Sequence, residues 1–191
     1  MEIENDDEFD QIGKFNYDKE ADTYVLQTNK KGEAKTHIDN IEKGILSDGM
    51  DFMNEDNMWE VGGEKQPTVD GFQKFVIDFS DLIVKELAGY YLNHPETPNN
   101  VSHIYMGYHV NNKFNKSQKG RGPWVLNPNL QGIFQLHTSW HTHPTYGYSK
   151  AERTTYSPGD LETKKSTLKG NPIHIPRYFM ILTRGYLPIY Y

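Results

Sequence analysis

The apolar residues between Phe72 and Leu87 constrain this chain more tightly than any other feature. Phe72, Phe75, Val76, Phe79, Leu82, Ile83 and Leu87 recur at steps of three and four, the spacing that lines up one face of an α-helix. A face this apolar needs a second layer to bury it, so the remaining sequence must supply a sheet or another helix. The pattern predicts a helix over about residues 71–88. Asp70 followed three residues later by Gln73 gives a capping box at its start, and Gly89 suits its end. Glu86 falls on the same stripe as Phe72, Val76, Phe79 and Ile83, so a carboxylate is directed at or near the buried side. Burying such a group is costly unless it has a partner or a task.

Strand patterns supply the second layer. Residues 89–92 and 101–110 read as strands separated by a Pro/Asn-rich turn, and residues 132–143 as a third. In the third, Ile133, Gln135, His137, Ser139, His141 and His143 share one face, while Leu136 and Trp140 take the other. Residues 178–183 read as a buried strand, with Gly185 turning the chain into Tyr186 to Tyr191, a packed terminal strand rather than a binding platform. A second helix is expected to start at Ser157 and run toward Leu168. Upstream, residues 22–38 read as a hairpin with Gly32 near its turn, and residues 39–63 as a turn-rich stretch of short strands. The chain is therefore expected to be α/β, a curved mixed sheet flanked by helices (67–191), behind an acidic terminus and β-rich extension (1–66).

Charge and composition narrow the function classes. Glu2, Glu4, Asp6, Asp7, Glu8 and Asp10 account for the whole net charge of −6; without them 20 acidic residues remain against 20 basic ones. The acidic run reads as a solvated, frayed terminus, and the neutral body argues against nucleic-acid binding. Lys113, Lys116, Lys119 and Arg121 sit in a polar loop read as a solvated excursion. No stretch approaches the roughly 20 apolar residues of a membrane span, and the start lacks the basic-then-apolar pattern of a secretory signal. With no cysteine in the chain, any metal must be held by histidine and carboxylate.

Those ligand types are present at a telling spacing. His141-Thr142-His143-Pro144 puts two imidazoles on one side of a strand, about 6.5–7 Å apart along the backbone. Ser157-Pro158-Gly159-Asp160 adds a carboxylate at the head of a helix. Two histidines and one carboxylate leave a fourth tetrahedral position for water, the arrangement of a catalytic rather than a closed structural zinc. Each motif also has a plain structural explanation. Paired histidines are common on exposed strands, and Ser157 as N-cap, Pro158 at the first helical position and Asp160 against the helix dipole make an ordinary helix start. The functional reading gains weight from both motifs occurring together with a carboxylate on an apolar helix face.

Together these residues resemble the JAMM (MPN-plus) metalloproteases, whose pattern is a glutamate, then His-x-His-Pro, then Ser-x-x-Asp. Glu86-Leu-Ala-Gly89-Tyr-Tyr-Leu92 is similar to the family's glutamate element, and the resemblance covers residues 72–187. It implies a JAMM/MPN-like, cytidine-deaminase-like sandwich with His141, His143 and Asp160 as zinc ligands. It further implies Glu86 as general acid/base and Ser157 as a hydroxyl that stabilises the oxyanion. The twelve residues 145–156 are about twice the usual spacer, which makes Ser149 the alternative to Ser157. Glu60 and Glu64 compete with Glu86 for the base, which is preferred for its desolvated position. His137 reads as an exposed strand histidine, or else a group beside the ligands; His103, His109 and His174 read as structural.

Residues 16–24, 71–75 and 85–91 also resemble the tails of bacterial RHS-type polymorphic toxins carrying a JAB-like domain. That resemblance implies a toxin module delivered as part of a larger exported protein, with an immunity protein as partner. The wider family implies protein or peptide substrates, including ubiquitin-like conjugates. Two rival readings keep the same residues: a non-catalytic MPN-like binding module, and a zinc amidase or other metallohydrolase.

Overall fold

Four strands at the start of the chain, β1 (Glu2–Asn5), β2 (Asp10–Asp18), β3 (Thr23–Thr28) and β4 (His37–Ile41), form an antiparallel sheet in sequence order. They belong to a computed structural model that describes residues 2–5, 10–18, 23–28, 37–45, 58–83, 86–106, 132–145, 148–170 and 175–191. The expected hairpin is the β3–β4 pair, in register from Leu26 opposite Ile38, although its turn lies outside the described residues. Within the acidic start, expected to be frayed, Glu2–Asn5 pairs with β2, while Asp6, Asp7 and Glu8 lie outside the described residues. Acidic side chains repel one another, yet the backbone donors and acceptors beneath them can still form a ladder.

The remaining elements are β5 (Met58–Glu60), α1 (Val69–Ile83), β6 (Ala88–Asn93), β7 (His103–Met106), β8 (Gln135–Thr142), α2 (Lys150–Thr154), α3 (Pro158–Leu168), β9 (Tyr178–Leu182) and β10 (Ile189–Tyr190). Their strands build a six-stranded mixed sheet in the order β10-β9-β8-β6-β7-β5. Neighbours are antiparallel except β8 and β9, which run parallel. A parallel pair needs a crossover rather than a tight turn, and α2 and α3 lie in that crossover. The molecule is thus mixed α/β, as expected. The polar loop with Lys113, Lys116, Lys119 and Arg121, the later part of the predicted strand 101–110, His109 and His174 fall outside the described residues.

Three expectations about α1 need correction. The helix starts at Val69, and its N-cap is Thr68 rather than Asp70: the Gly71 N–H donates to Thr68 Oγ1 at 3.0 Å. Glu42 holds this cap by accepting from the Thr68 hydroxyl at 2.9 Å. The helix is also shorter than predicted, since its span closes at Ile83. Leu87 is buried all the same, because it pairs with Thr142 at the mouth of β6; an apolar residue at helical spacing is served equally well by an adjoining strand. Gly89 is a strand residue, not a helix end. A Cβ there would stand 1.9 Å from the Tyr105 carbonyl oxygen and 2.7 Å from Trp140 Cζ2, so glycine is what lets Trp140 cross the sheet.

The apolar stripe of α1 meets the sheet as predicted. Phe72, Phe75, Val76, Phe79 and Leu82 share one core with Tyr91, Ile104, Met106, Trp140, Met180 and Leu182, and with Ile38, Ile41, Ile45 and Trp59 from upstream. The opposite face carries a smaller cluster of Leu92, Tyr105, Phe134 and Leu136. Alternation along β8 puts Trp140 and Thr142 inside and leaves His141 on the face turned away from α1.

Candidate metal centre

The centre forms where β8 leaves the sheet. His141 lies opposite Ala88 on β6 and Ile181 on β9. Beyond it the backbone is clamped on both sides. Thr142 N–H donates to the Leu87 carbonyl at 2.8 Å, and His143 N–H to the Leu182 carbonyl at 2.9 Å. The Thr183 hydroxyl donates to the His143 carbonyl at 2.9 Å. Helix α1 reaches the same segment through its polar last turn: Ser80 Oγ accepts from the Thr142 hydroxyl at 2.7 Å, and Asp81 accepts from the Thr145 N–H at 2.6 Å. Two imidazoles at this point are therefore carried on a braced backbone rather than a free loop.

Asp160 arrives from the other direction, at the third position of α3. Ser157 Oγ accepts from the Asp160 N–H at 3.2 Å while Asp160 Oδ2 accepts from the Ser157 N–H at 2.7 Å, a reciprocal cap that sets the carboxylate's rotamer. His141 Nε2 lies 3.1 Å from His143 Nε2 and 3.3 Å from Asp160 Oδ1; His143 Nε2 lies 3.8 Å from Asp160 Oδ2. A tetrahedral zinc with bonds of about 2.0–2.1 Å puts its ligand atoms about 3.3–3.4 Å apart. One ligand atom from each of the three residues lies within 4.8 Å of the others, close enough to share an ion after a small adjustment.

The proton inventory agrees. His143 Nδ1 lies 2.9 Å from the Glu152 carbonyl oxygen, which can only accept. Nδ1 therefore carries the hydrogen, and Nε2 turns its lone pair to the centre, the tautomer a metal ligand needs. Burial, reinforced by the neighbouring His141, pushes the His143 imidazole below its ordinary pKa and keeps it neutral. Burial alone would raise the Asp160 carboxyl, but the His141 ring and the Ser157 amide and hydroxyl outweigh it and hold the group ionised. His141, His143 and Asp160 can thus hold a metal ion.

No family model, curated protein or solved structure gives a significant match to this chain.

Glu86 stands beside the three ligands, but not by the route the sequence suggests. It is off the helix, in the extended link before β6, one residue ahead of the Leu87–Thr142 pairing. That register brings it level with His143, and its Oε1 lies 4.0 Å from His143 Nε2. Glu60 is on β5, three strands from β8 or roughly 14 Å at about 4.8 Å per strand. Glu64 is exposed in the turn that follows. Ser157 and Ser149 both serve as N-caps, of α3 and α2. His137 sits at an irregularity of β8, where the pairing with β6 shifts between Thr138 and Leu136, with Nδ1 2.8 Å from the Thr138 hydroxyl.

Several contributors were missed in the sequence. Residues 145–156, expected only as a long spacer, contain α2, whose Glu152 carbonyl sets the His143 tautomer. Its Ser149-x-x-Glu152 capping box is the local signal that marks the start of this helix. Tyr148 donates to Glu86 Oε1 at 2.6 Å and stacks on the His143 ring at 5.3 Å and 12°. Burial and the Glu86 carboxylate both raise its pKa, so the phenol stays protonated. On the other flank, Tyr191 meets the His141 ring edge-on at 6.3 Å and stacks on Tyr156. No local pattern marks either tyrosine: the Tyr148 hydroxyl meets Glu86, 62 positions away, and Tyr191 meets His141 and Tyr156 from the far end of the sheet order.

Proposed function

We propose that this chain is a zinc-dependent hydrolase of the JAMM type that cleaves a peptide or isopeptide bond. One observation carries the reading: two imidazoles and a carboxylate converge closely enough to share an ion, with a further carboxylate 4.0 Å from one of them. His141, His143 and Asp160 would hold the ion. When bound, zinc polarises a carbonyl and makes water a nucleophile near neutral pH.

The chain's own groups do the rest. Glu86 takes the proton from the attacking water on its carboxylate and returns it to the leaving amine. The Glu152 carbonyl keeps the hydrogen of His143 on Nδ1, so that Nε2 stays available. Ser157 accepts from the Asp160 N–H, and its hydroxyl is the group the JAMM pattern assigns to the oxyanion. On this reading the six-stranded sheet, with α1 on one face and the centre on the other, is a JAMM/MPN-like sandwich. The same reading makes the substrate a protein or peptide, with ubiquitin-like conjugates the first to test. The separate resemblance of residues 16–24, 71–75 and 85–91 to RHS-type toxin tails adds the proposal that the chain is a toxin module with an immunity protein as partner.

Elemental analysis beside activity assays tests the proposal. Wild type should carry about one zinc per chain, and His141→Ala and Asp160→Ala much less. Glu86→Gln should keep the metal while turnover of an isopeptide-linked ubiquitin-like conjugate or a peptide mixture falls by about 10²–10⁴-fold. Zinc-free wild type, or a Glu86→Gln variant working at the normal rate, would refute it. Zinc bound with no amide cleaved would point instead to a binding module.

A further inference from the structure

We propose that Tyr148 is a positioning residue of this centre, its hydroxyl holding the Glu86 carboxylate and its ring holding the His143 imidazole. The catalytic part of this inference rests on the hydrolase reading; the positioning part does not. A phenol has a single hydrogen to donate, and Tyr148 gives it to Glu86 Oε1 at 2.6 Å. It therefore orients the carboxylate rather than meeting a substrate. Its ring lies nearly parallel to that of His143, at 12° and 5.3 Å between centroids, and restrains the imidazole about the axis that aims Nε2.

The segment carrying Tyr148 is fixed on both sides of it. Upstream, Thr145 donates to Asp81 through its N–H at 2.6 Å and its hydroxyl at 3.0 Å, and Arg184 holds the same carboxylate. Downstream, Ser149 caps α2, whose Glu152 carbonyl accepts from His143. Glu86, by contrast, sits in a link with no helix or strand of its own. Thr145 and residues 148–156, the described part of this segment, thus flank the centre, and Tyr148 is the point at which they reach the base.

Separating the ring from the hydroxyl tests this. Tyr148→Phe keeps the ring and should bind zinc about as tightly as wild type in competition with a chromophoric chelator. Its kcat should fall by about 10- to 100-fold with KM little changed, the loss expected for one hydrogen bond to a charged group. In a Glu86→Gln background the same substitution should cost nothing more, because the group it positions is already disabled. Tyr148→Ala removes the ring as well and should weaken zinc binding by about 10-fold or more. Independently of turnover, the wild-type phenolic proton should appear far downfield and exchange slowly in NMR spectra, vanish in Tyr148→Phe and move in Glu86→Gln. Losses that add in the double variant, or no such proton in wild type, would overturn the proposal. If wild type cleaves no substrate tried, the hydrolase reading fails, while the proton and the zinc affinities still decide whether Tyr148 holds Glu86 and His143.

Discussion

Helix α1 turns Phe72, Phe75, Val76, Phe79 and Leu82 into the core, whereas α3 buries a single side chain, that of Asp160. Even the apolar Leu168 at the end of α3 is 48% exposed. What seats α3 is polar: the Ser157 cap, the approach of Asp160 to His141, and the Lys164 ammonium over the Phe179 and Tyr191 rings at 5.3 and 5.5 Å. An apolar helix face brings its own stabilisation wherever a sheet covers it. A helix anchored through a carboxylate depends on what that carboxylate finds. The molecule thus pairs a rigid side, which positions His141 and His143 through Ser80 and Asp81, with a side whose seat is coupled to the centre itself.

The largest effect that could break this contrast is cavity formation under α1. Phe79→Ala should destabilise the chain by about 3–5 kcal/mol in chemical denaturation, the usual range for a fully buried Phe. Leu161→Ala, at the half-buried leucine of α3, should cost far less. Similar losses at the two sites would show that α3 is held by packing after all. Next in size is the effect of metal. An ion bound to the folded state at a hundredfold excess over its Kd adds about 2.7 kcal/mol. If that gain runs through Asp160, chelation should speed amide exchange in α3 well before it does so in α1. Equal exchange in the two helices on chelation would remove the coupling.

How much of this was legible in sequence follows the same divide. The stripe of α1, the alternation from Thr138 to Thr142 and the start of α3 at Pro158 are local patterns, and they appear where the periodicities put them. Leu136, expected beside Trp140, joins the opposite cluster because the pairing of β8 with β6 shifts at His137. The helical stripe is not what places Glu86: it lies off the helix and reaches His143 through the pairing of Leu87 with Thr142. The same holds for Leu87, since strand pairing buries it at a helical interval. The acidic residues of β1 obscured a ladder that depends on backbone atoms. Tyr148 was out of reach altogether, because its hydroxyl meets a residue 62 positions away and nothing in the intervening pattern announces the contact.

A smaller substitution sharpens the contrast within α3 itself. Ser157→Ala should cost about 1 kcal/mol, the typical worth of an N-cap hydroxyl. Because Ser157 also helps set the Asp160 rotamer, the variant should loosen zinc binding, whereas a cap lost at α1 should leave zinc unaffected. Thr68→Ala supplies that control, since Thr68 caps α1 far from the centre in the chain. If both variants bind zinc like wild type, the reciprocal bond between Ser157 and Asp160 serves the helix alone.

The smallest effect is a titration. Burial, with a further contribution from Arg177, lowers the pKa of His137, and burial likewise lowers that of His103 despite the opposing pull of Glu60. Both should titrate below about 6.5 in NMR spectra. Their lowered values mean that the unfolded chain binds these protons more readily than the folded one. The stability they are linked to is therefore present above the unfolded value and lost as pH falls toward the folded midpoints. His103 is on β7 and His137 is four residues before His141, about 13 Å along the strand at 3.3 Å per residue. Chelation should leave both midpoints where they are if the influence of metal is confined to α3 and the mouth of β8. A midpoint that moves with zinc would extend the metal-coupled region into the sheet, and the division between a self-supporting side and a dependent one would have to be redrawn.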